Sequence, residues 1–385
     1  MPRLRVAVLH HWFVTRGGGE RVAECIAALL PTADIFALMQ APEGIPSSLL
    51  GRTIQSSFLQ KLPWAAHLHR ELMPLYPEAA RSIDLTGYDL VVSSDSGPIK
   101  AANVPPGTPH LCYCHSPMRY LYDGFESYKA SMTRVKGLLF AGLAPRVRRA
   151  DLQAAQAVTA FIANSHYVQI RIQNTYSRAS RVIYPPIDVQ RARLNPPGPH
   201  YLAAGRLVPY KQTVLLIQAC KSLGRQLRIV GTGPEEMHLR QIAGPETTFL
   251  GSLPQEALWD EYSRCRALLF AADEDFGMVP LEAQSCGRPV IAFGAGGSLE
   301  TVRGDESDPQ RTGLFFAEQT VESLVEAMLR FEQQEASFQP AAAQAHAAQF
   351  AVPVFLENMR EAILEMMPGA ADALADVDQA LKTVL

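Results

Sequence analysis

Short apolar segments rich in β-branched residues alternate along this chain with segments of helical periodicity. Apolar runs of this length are typical of strands that are buried on both faces of a parallel sheet. Parallel strands must be joined by crossovers, usually helices, so the alternation predicts an α/β fold with doubly wound sheets. In the first half we expect strands at 5–9, 89–93, 110–113 and 158–162, and a helix at 20–30.

The second half repeats the alternation and predicts a second Rossmann-like unit. Its last helix should begin after Thr320, whose hydroxyl can cap the first turn, and one face should be apolar. That face comprises Val321, Leu324, Val325, Met328 and Leu329. The other predicted elements are strands at 201–204, 227–230, 247–250, 267–271, 289–293 and 313–316 and helices at 212–221, 235–242, 255–263 and 279–286.

Two proline-rich segments, 184–188 and 195–199, lie between the halves. Proline removes backbone donors and stiffens the chain, which suits an inter-domain connector. At 385 residues the chain is also longer than one ordinary hydrophobic core supports. We therefore expect two facing α/β domains with a cleft between them, one at 1–188 and the other at 189–352.

Composition excludes several classes of protein. With 48% apolar and 19% charged residues, the chain is globular rather than disordered or repetitive. Six cysteines do not make a disulfide framework at this length, and Cys112 and Cys114 fit neither a CxxC redox pair nor a zinc knuckle, so we expect buried thiols. No stretch approaches the ~18 apolar residues of a spanning helix. We expect a cytoplasmic protein, at most peripheral on the inner face of a membrane.

Charge is divided unevenly along the chain. Residues 1–190 carry a net charge of +6 and residues 191–385 a net charge of −9, which suggests an anionic partner for the first half. Five basic residues flank the apolar run 137–144, and two interpretations stay open: a segment that lies on a membrane surface, or a core helix with a solvated basic edge. These residues, all within 134–149, are Arg134, Lys136, Arg146, Arg148 and Arg149.

A glycine run, 17–19, separates the first predicted strand from its helix. It is not the GxGxxG dinucleotide fingerprint. The backbone amides of Gly17 and Gly18 would lie at a positive helix end, where they can receive a phosphate. A tight turn would equally require glycine, so both interpretations stay open.

Small and basic residues also follow the first strands of the second half. Ligands of open α/β sheets bind at the carboxyl ends of the strands. Gly205 and Arg206 follow the first strand there, and Arg206 with Lys211 could clamp a diphosphate and neutralise its charge. Two basic side chains that are simply solvated at the surface are the alternative. Gly231 and Leu250 lie at the ends of the next two strands, where each either lines a nucleotide pocket or forms a turn.

The segment 273–282 (DEDFGMVPLE) carries the most specific pattern. Three acids follow an apolar strand, and Gly277 then leads into a helix, whose first amides suit a phosphate oxygen. Glu282 lies about one turn into that helix. Carboxylates beside a phosphate site suit hydrogen bonds to sugar hydroxyls, whereas an acidic first turn that stabilises the helix dipole is the alternative.

These residues resemble a known family. Glu274 and Glu282, with seven residues between them, resemble the Glu-x7-Glu motif of retaining GT-B glycosyltransferases of family 4. The segment 17–21 (GGGER), Gly205-Arg206 with Lys211, and 249–251 (FLG) are similar to the same family in the same order. The segments 114–120 (CHSPMRY) and 182–188 (VIYPPID) resemble its bacterial polysaccharide mannosyltransferases. The resemblance covers residues 5 to about 335.

The resemblance implies a GT-B fold and a hexosyltransferase that retains the anomeric configuration by front-face attack. Arg206 and Lys211 would bind the diphosphate of a nucleotide-sugar donor. Glu274 would hold hydroxyls of the transferred sugar, and Glu282 those of the ribose. No cofactor or metal is expected, because the sequence has no HExxH motif and no clustered set of His and Cys, and the acids at 273–275 belong to the Glu-x7-Glu motif.

His115 follows a predicted strand and, by the resemblance, would contact the donor sugar near its reacting carbon. The resemblance also implies that the acidic, helical segment 353–385 packs back on the first domain; binding a partner is the alternative. The predicted catalytic residues are thus His115, Arg206, Lys211 and Glu274, and the predicted donor-binding residues are Gly17, Gly18, Gly205, Gly231, Leu250, Phe276, Gly277, Met278, Val279 and Glu282.

The similarity at 114–120 favours GDP-mannose as donor in bacterial polysaccharide biosynthesis, and a UDP-sugar is the alternative. We expect a saccharide acceptor, free or linked to polyprenyl diphosphate, and no nucleic-acid partner. Two other classes stay open, a GT-B-shaped sugar-nucleotide epimerase and a non-catalytic subunit that binds nucleotide sugars. A nicotinamide-dependent dehydrogenase is disfavoured, because GxGxxG does not follow the first strand.

Overall fold

The computed structural model describes residues 4–68, 71–130 and 132–385. Contacts within the chain divide it into two compact units. One unit comprises Met1–Pro186 and Val352–Leu385, and the other comprises Ile187–Ala351. The division at 186–187 falls inside the first proline-rich segment.

The first unit is built on a seven-stranded parallel sheet. Its strands are β1 (Val6–His10), β2 (Asp34–Ala37), β3 (Ile54–Ser56), β4 (Leu90–Asp95), β5 (His110–Cys114), β6 (Ala160–Ala163) and β7 (Ser180–Val182), and its helices before residue 187 are α1 (Gly18–Leu29), α2 (Tyr76–Arg81), α3 (Phe125–Ala130), α4 (Arg134–Ala157) and α5 (His166–Tyr176). The strand order is β3-β2-β1-β4-β5-β6-β7. It reverses between β1 and β4, which makes the carboxyl ends of these two strands a topological switch point.

The second unit contains a six-stranded parallel sheet. Its strands are β8 (Tyr201–Ala204), β9 (Leu227–Val230), β10 (Thr247–Gly251), β11 (Leu268–Phe270), β12 (Val290–Phe293) and β13 (Gly313–Phe316), and its helices are α6 (Thr213–Leu223), α7 (Glu236–Ile242), α8 (Gln255–Arg264), α9 (Met278–Ser285), α10 (Ser298–Thr301), α11 (Val321–Gln334) and α12 (Pro340–Ala348). The order β10-β9-β8-β11-β12-β13 places the switch point between β8 and β11.

The carboxyl-terminal segment belongs to the first unit. Its helices are α13 (Val352–Met366) and α14 (Val377–Val384). Phe355 and Ile363 of α13 are buried in the same core as Val8 of β1, and the amide of Ala375 donates to the carbonyl of Leu29 at the end of α1 (2.9 Å). This segment therefore supplies part of the core on one face of the first sheet.

Most of the predicted elements are present, with ends shifted by one or two residues. Thr320 caps α11 as predicted, because its hydroxyl accepts from the amide of Ser323 (3.2 Å). The prediction for Leu329 is wrong: it is 41% exposed. The buried stripe of α11 runs instead through Leu324, Met328 and Phe331, since spacings of three and four keep those residues on one side.

Three strands, β2, β3 and β7, were not predicted. β3 and β7 lie at the sheet edges, where most of their side chains are only partly buried, so neither strand forms an apolar run. All six cysteines are free and buried, as the sequence analysis expected. Among the described residues, no helix has both the length and the apolar character needed to cross a membrane.

Candidate functional site

Glycines end two central strands of the second sheet, β8 and β9. Gly205 and Gly231 have φ values of +131° and +125°, which disfavour any other residue. The amide of Gly231 donates to the carbonyl of Gly251 (2.7 Å), and a Cβ on Gly231 would lie 1.9 Å from the oxygen of Gly205. Only glycine allows the backbone after β9 to pack this closely against the backbone after β8. Leu250, beside it on β10, is half-buried.

Arg206 and Lys211 also follow β8, one of the two strands at the switch point. Lys211 closes a short 3-10 turn, Pro209–Lys211, and its Nζ forms an ion pair with Oε1 of Glu274, which follows β11. Both side chains are mostly buried, with 15% and 18% of their surface exposed. Nζ of Lys211 also lies 5.3 Å from the ring centroid of Phe270. The structure thus brings Lys211 and Glu274 into contact, and it leaves Arg206 at the surface.

The backbone that follows Glu274 enters α9 through Gly277, whose φ is +91°. The helix begins at Met278, so the amides of Met278 and Val279 lie at its amino terminus, as predicted. Glu282, half-buried one turn later, accepts a 2.6 Å hydrogen bond from the hydroxyl of Tyr262. Burial raises the pKa of Glu282, and the Tyr262 hydroxyl opposes that rise. Phe276 is buried beneath this turn.

Two further glycines support the acidic segment and were not singled out from the sequence. The amide of Gly297 donates to the carbonyl of Glu274 (2.8 Å). A Cβ on Gly297 would lie 2.3 Å from Cα of Phe276, and one on Gly296 would lie 2.5 Å from Oδ1 of Asp273. The signal was present, because 294–297 (GAGG) directly follows the predicted strand 289–293. These glycines let the loop after β12 pack directly against the loop that carries Glu274.

The predicted residues of the first unit gather at its own switch point. Gly17 is the extended residue before α1, and Gly18 is the first helical residue. A Cβ on Gly19 would lie 3.6 Å from His11, 3.7 Å from His10 and 3.7 Å from Nε2 of His115. The glycine run and His115 therefore lie close together, and two histidines at the end of β1 join them.

His115 is held in place by β4. Its amide donates to the carbonyl of Asp95 (2.8 Å), and its Nε2 is hydrogen-bonded to the hydroxyl of Ser94 (2.8 Å). Burial, together with the nearby rings of His11 and His10, holds the pKa of His115 well below its usual range. The ring is therefore neutral near pH 7, with its orientation fixed through Nε2.

The structure also brings together a group that the sequence analysis did not identify. His10, His11 and Glu20 are buried, and their ligand atoms lie within 4.8 Å of one another. Histidine and cysteine ligands can be recognised in a sequence only where they occur at known spacings. His10 and Glu20 are ten residues apart in no such motif, and only the turn from β1 into α1 makes them neighbours.

Two family profiles match the chain. The profile "Glycosyltransferase Family 4" matches residues 16–191, and the profile "Glycosyl transferases group 1" matches residues 187–349. Each profile falls mainly on one of the two α/β units, and the second profile includes both strands at the switch point of its unit, β8 and β11. The chain belongs to the GT-B glycosyltransferases.

Curated relatives of this glycosyltransferase include mannosyltransferases. A Mycobacterium tuberculosis protein named as a GDP-mannose-dependent alpha-(1-6)-phosphatidylinositol monomannoside mannosyltransferase is 30% identical over 197 residues, or 43% of this chain and 50% of the relative. A D-inositol 3-phosphate glycosyltransferase from Mycobacteroides abscessus is 33% identical over 137 residues, or 32% of this chain and 30% of the relative. The chain therefore spans about half the length of the first of these relatives and 30% of the length of the second.

Solved structures share the fold over nearly the whole chain. Anabaena HepE, solved in complex with UDP and glucose, covers 94% of this chain and 99% of its own with a TM-score of 0.70 at 18% identity. Sucrose-phosphate synthase from Thermosynechococcus elongatus covers 95% of this chain and 100% of its own with a TM-score of 0.71 at 19% identity. These matches establish the GT-B fold of the glycosyltransferase.

Helix α4 carries the apolar run 137–144, and the structure exposes much of it. We use the name α4 surface for Val135, Leu138, Leu139 and Leu143, which are 69%, 67%, 63% and 40% exposed. Phe140 and other residues of the opposite side are buried. One side of α4 therefore packs in the core, and its other side presents apolar as well as basic side chains. Arg148 points inward, where its Nε donates to the carbonyl of Leu121 (2.9 Å).

Proposed function

We propose that this protein is a retaining hexosyltransferase that moves mannose from GDP-mannose to a saccharide acceptor in polysaccharide biosynthesis. The observation that carries the proposal is the arrangement at the switch point of the second sheet. There, Arg206 and Lys211 follow β8, while Glu274 and Glu282 follow the neighbouring strand β11. Cations for a diphosphate and carboxylates for hydroxyls thus meet at the edge where α/β sheets bind ligands.

Each of these groups has a part in the proposed reaction. Arg206 and Lys211 hold the diphosphate and stabilise the charge that develops on it as the bond to the sugar breaks. The amides of Met278 and Val279 at the start of α9 add partial positive charge. Glu274 orients the transferred sugar through its hydroxyls, and Glu282 binds the ribose.

The transfer is a single exchange on one face of the sugar. The bond from the anomeric carbon to the diphosphate oxygen breaks, and a bond from that carbon to the acceptor oxygen forms on the same face. The acceptor proton passes to the departing diphosphate oxygen, so the products are the glycoside and GDP. Neutral His115, in the first unit, is proposed to contact the sugar near the anomeric carbon. A neutral ring suits this place because positive charge develops on that carbon.

Donor identity is tested by binding and turnover together. The protein should be stabilised against heat by GDP and GDP-mannose more than by UDP and UDP-sugars, and it should release GDP when an acceptor is supplied. The support for GDP-mannose is the similarity at 114–120 and the naming of curated relatives as GDP-mannose-dependent mannosyltransferases. Stabilisation by UDP-sugars alone would replace GDP-mannose with the alternative donor class.

The proposed transfer requires no metal, because Arg206 and Lys211 supply the cationic charge at the diphosphate. Activity should therefore be unchanged in excess EDTA. Loss of activity in EDTA, with recovery on adding Mg²⁺ or Mn²⁺, would overturn this part of the proposal.

We further propose that the α4 surface contacts an anionic lipid surface on the cytoplasmic face of a membrane, where the acceptor is linked to a polyprenyl diphosphate. Apolar side chains that face outward beside basic ones are typical of segments that lie in a membrane interface. Lys136 and Arg146, both on α4, are 68% and 74% exposed, and they pair with Glu71 (4.0 Å) and Glu78 (2.6 Å) at the surface. Anionic headgroups compete with these glutamates for the two cations. Arg134 and Arg149 are exposed as well. Such residues are attracted to anionic headgroups by about 1 kcal/mol each.

A further inference from the structure

A cluster of two imidazoles and one carboxylate lies at the carboxyl end of β1, outside the groups used in the proposed transfer. His10, His11 and Glu20 are only 0%, 4% and 7% exposed. The ligand atoms of all three lie within 4.8 Å of one another. Buried polar groups normally have hydrogen-bond partners, so a cluster of this kind requires an explanation.

The ring of His10 has the orientation found in metal ligands. Its Nδ1 lies 3.2 Å from the carbonyl oxygen of Ser94 and 3.1 Å from the hydroxyl of the same residue. Histidines that bind metals usually donate one ring N–H to such a backbone carbonyl, which leaves the other nitrogen as the ligand. That other nitrogen, Nε2, is buried and has no hydrogen-bond partner among the described residues. It faces Oε1 of Glu20 at 3.9 Å.

The distance between His10 and Glu20 is close to that between two ligands of one metal ion. Two ligands at about 2.0–2.1 Å from a tetrahedral zinc ion lie roughly 3.4 Å apart. The 3.9 Å between His10 and Glu20 therefore requires a shift of only a few tenths of an ångström on each side. Gly19 faces the cluster without a side chain, since a Cβ there would come within 3.7 Å of both His10 and His11.

We propose that His10, His11 and Glu20 bind one divalent transition-metal ion, with Zn²⁺ as the ion that best fits two imidazoles and a carboxylate. Three protein ligands leave a fourth position for a water or another oxygen. His115 does not belong to the group whose ligand atoms lie within 4.8 Å of one another. The ring of His11 contacts the hydroxyl of Ser96, at 3.1 Å from Nε2 and 3.5 Å from Nδ1, and metal binding replaces one of these contacts. The site is separate from the proposed diphosphate site at Arg206 and Lys211, and the proposal does not rest on sugar transfer.

The test measures metal binding without any sugar donor. Protein freed of metal with EDTA and then dialysed is titrated with Co²⁺, whose visible absorption bands report coordination number and ligand type, and with Zn²⁺ in a calorimeter. We expect one ion per chain and the strong visible bands of four-coordinate Co²⁺, without the sulfur-to-metal band that cysteine ligands would give. Octahedral Co²⁺ bands, a sulfur band or no saturable binding would overturn the proposal.

Variants locate the site. Replacing a residue that only orients a metal ligand typically weakens metal binding by roughly 10–100-fold, and Ser94→Ala should fall within that range. Glu20→Gln and His11→Gln each remove a proposed ligand and should weaken binding by more. His238→Gln, an exposed histidine on α7, is the matched control and should bind as the wild type does. Circular dichroism and melting in EDTA confirm that each variant is folded before titration. A folded Glu20→Gln protein with wild-type affinity would also overturn the proposal.

Discussion

Lys211 and Arg206 carry the positive charge that the proposed transfer requires at the diphosphate. Replacing either with alanine should lower kcat by about 10²–10³-fold, the usual cost of removing one charge-stabilising donor. Steady-state kinetics with GDP-mannose would measure this, with Lys221→Ala as the control because Lys221 is exposed on α6. Turnover close to wild type in both variants would mean that the diphosphate binds elsewhere.

Glu274 and Glu282 should separate sugar recognition from nucleotide recognition. Glu274 is paired with Lys211, and Glu282 accepts from Tyr262 deeper in the site. Glu274→Gln should therefore reduce kcat while free GDP still binds within a few-fold of wild type. Glu282→Gln should weaken GDP itself by about tenfold, the effect of one lost charge-assisted hydrogen bond of about 1.5 kcal/mol. Calorimetry with free GDP would distinguish the two, and the opposite pattern would reverse the assigned roles.

The raised pKa of Glu282 also makes a prediction about stability. Because burial favours the protonated carboxyl in the folded protein, its stabilising contribution is complete below the unfolded pKa, whose ordinary value is 4.5, and is lost as pH rises through the raised folded pKa. Glu282→Gln cannot ionise. Its free energy of unfolding should therefore increase relative to wild type as pH rises from 4.5 toward neutrality. Urea unfolding at several pH values measures this difference.

The control for that series is Glu318→Gln, an exposed glutamate of the same unit. A constant difference between wild type and Glu282→Gln across this pH range would contradict the prediction. A growing difference in both variants would point to a general charge effect rather than to the burial of Glu282.

Some of the candidate site residues could be predicted from the sequence, and others could not. Gly205, Arg206 and Glu274 could be predicted because they follow apolar runs, and the ends of parallel strands share one sheet edge. Ser94 and Glu20 could not, because their roles depend on how β4 and α1 pack beside β1, which no local spacing encodes. The same holds for the ion pair of Lys211 and Glu274, whose members lie 63 residues apart.

At the scale of elements, the position of a strand in its sheet decides what the sequence could predict. Strands of the sheet centres, such as β1 and β8, are buried on both sides and read as apolar runs. Edge strands β3 and β7 contain the polar sequences IQS and SRV, and most of their side chains are exposed or only partly buried. Helix α4 could not be delimited from the sequence, because Pro145 lies inside it and proline usually kinks or ends a helix. Which of its apolar side chains are exposed depends on how the helix packs on the rest of its unit, and no local spacing encodes this.

The α4 surface predicts binding to anionic membranes. Leu138→Glu with Leu139→Glu should lower the affinity for vesicles that contain an anionic lipid by more than about tenfold, because each leucine that leaves an apolar environment loses about 1.5–3 kcal/mol. Co-sedimentation measures the affinity. The control is Leu329→Glu, an exposed leucine of the second unit.

Ionic strength and lipid charge give two further tests of membrane binding by the α4 surface. Wild-type binding should weaken as ionic strength rises and should be lost on vesicles of neutral lipid, because Lys136 and Arg146 act through a screened surface potential. Equal binding of the double variant and wild type, or no binding by either at low salt, would contradict a membrane role for the α4 surface.

At the scale of the whole molecule, the first unit is discontinuous and the second is not. The first needs α13, which buries Phe355 and Ile363 in its core, and α14, which buries Val384 there. The second, Ile187–Ala351, is one continuous stretch with its own six-stranded sheet and its own buried cores on both faces. A continuous chain with a complete core can fold alone, whereas the first unit loses core residues when it is cut at 351.

We therefore expect a fragment of residues 187–351 to fold on its own, to unfold cooperatively on heating and to bind GDP through Arg206, Lys211 and Glu282. A fragment of residues 1–186 should be unstable or aggregate, because the apolar side chains that α13 and α14 cover become exposed. Circular dichroism and calorimetry measure both outcomes, and the fragment 187–351 carrying Lys211→Ala is the control for binding. A folded fragment that binds no nucleotide would show that the second unit alone does not contain the nucleotide site.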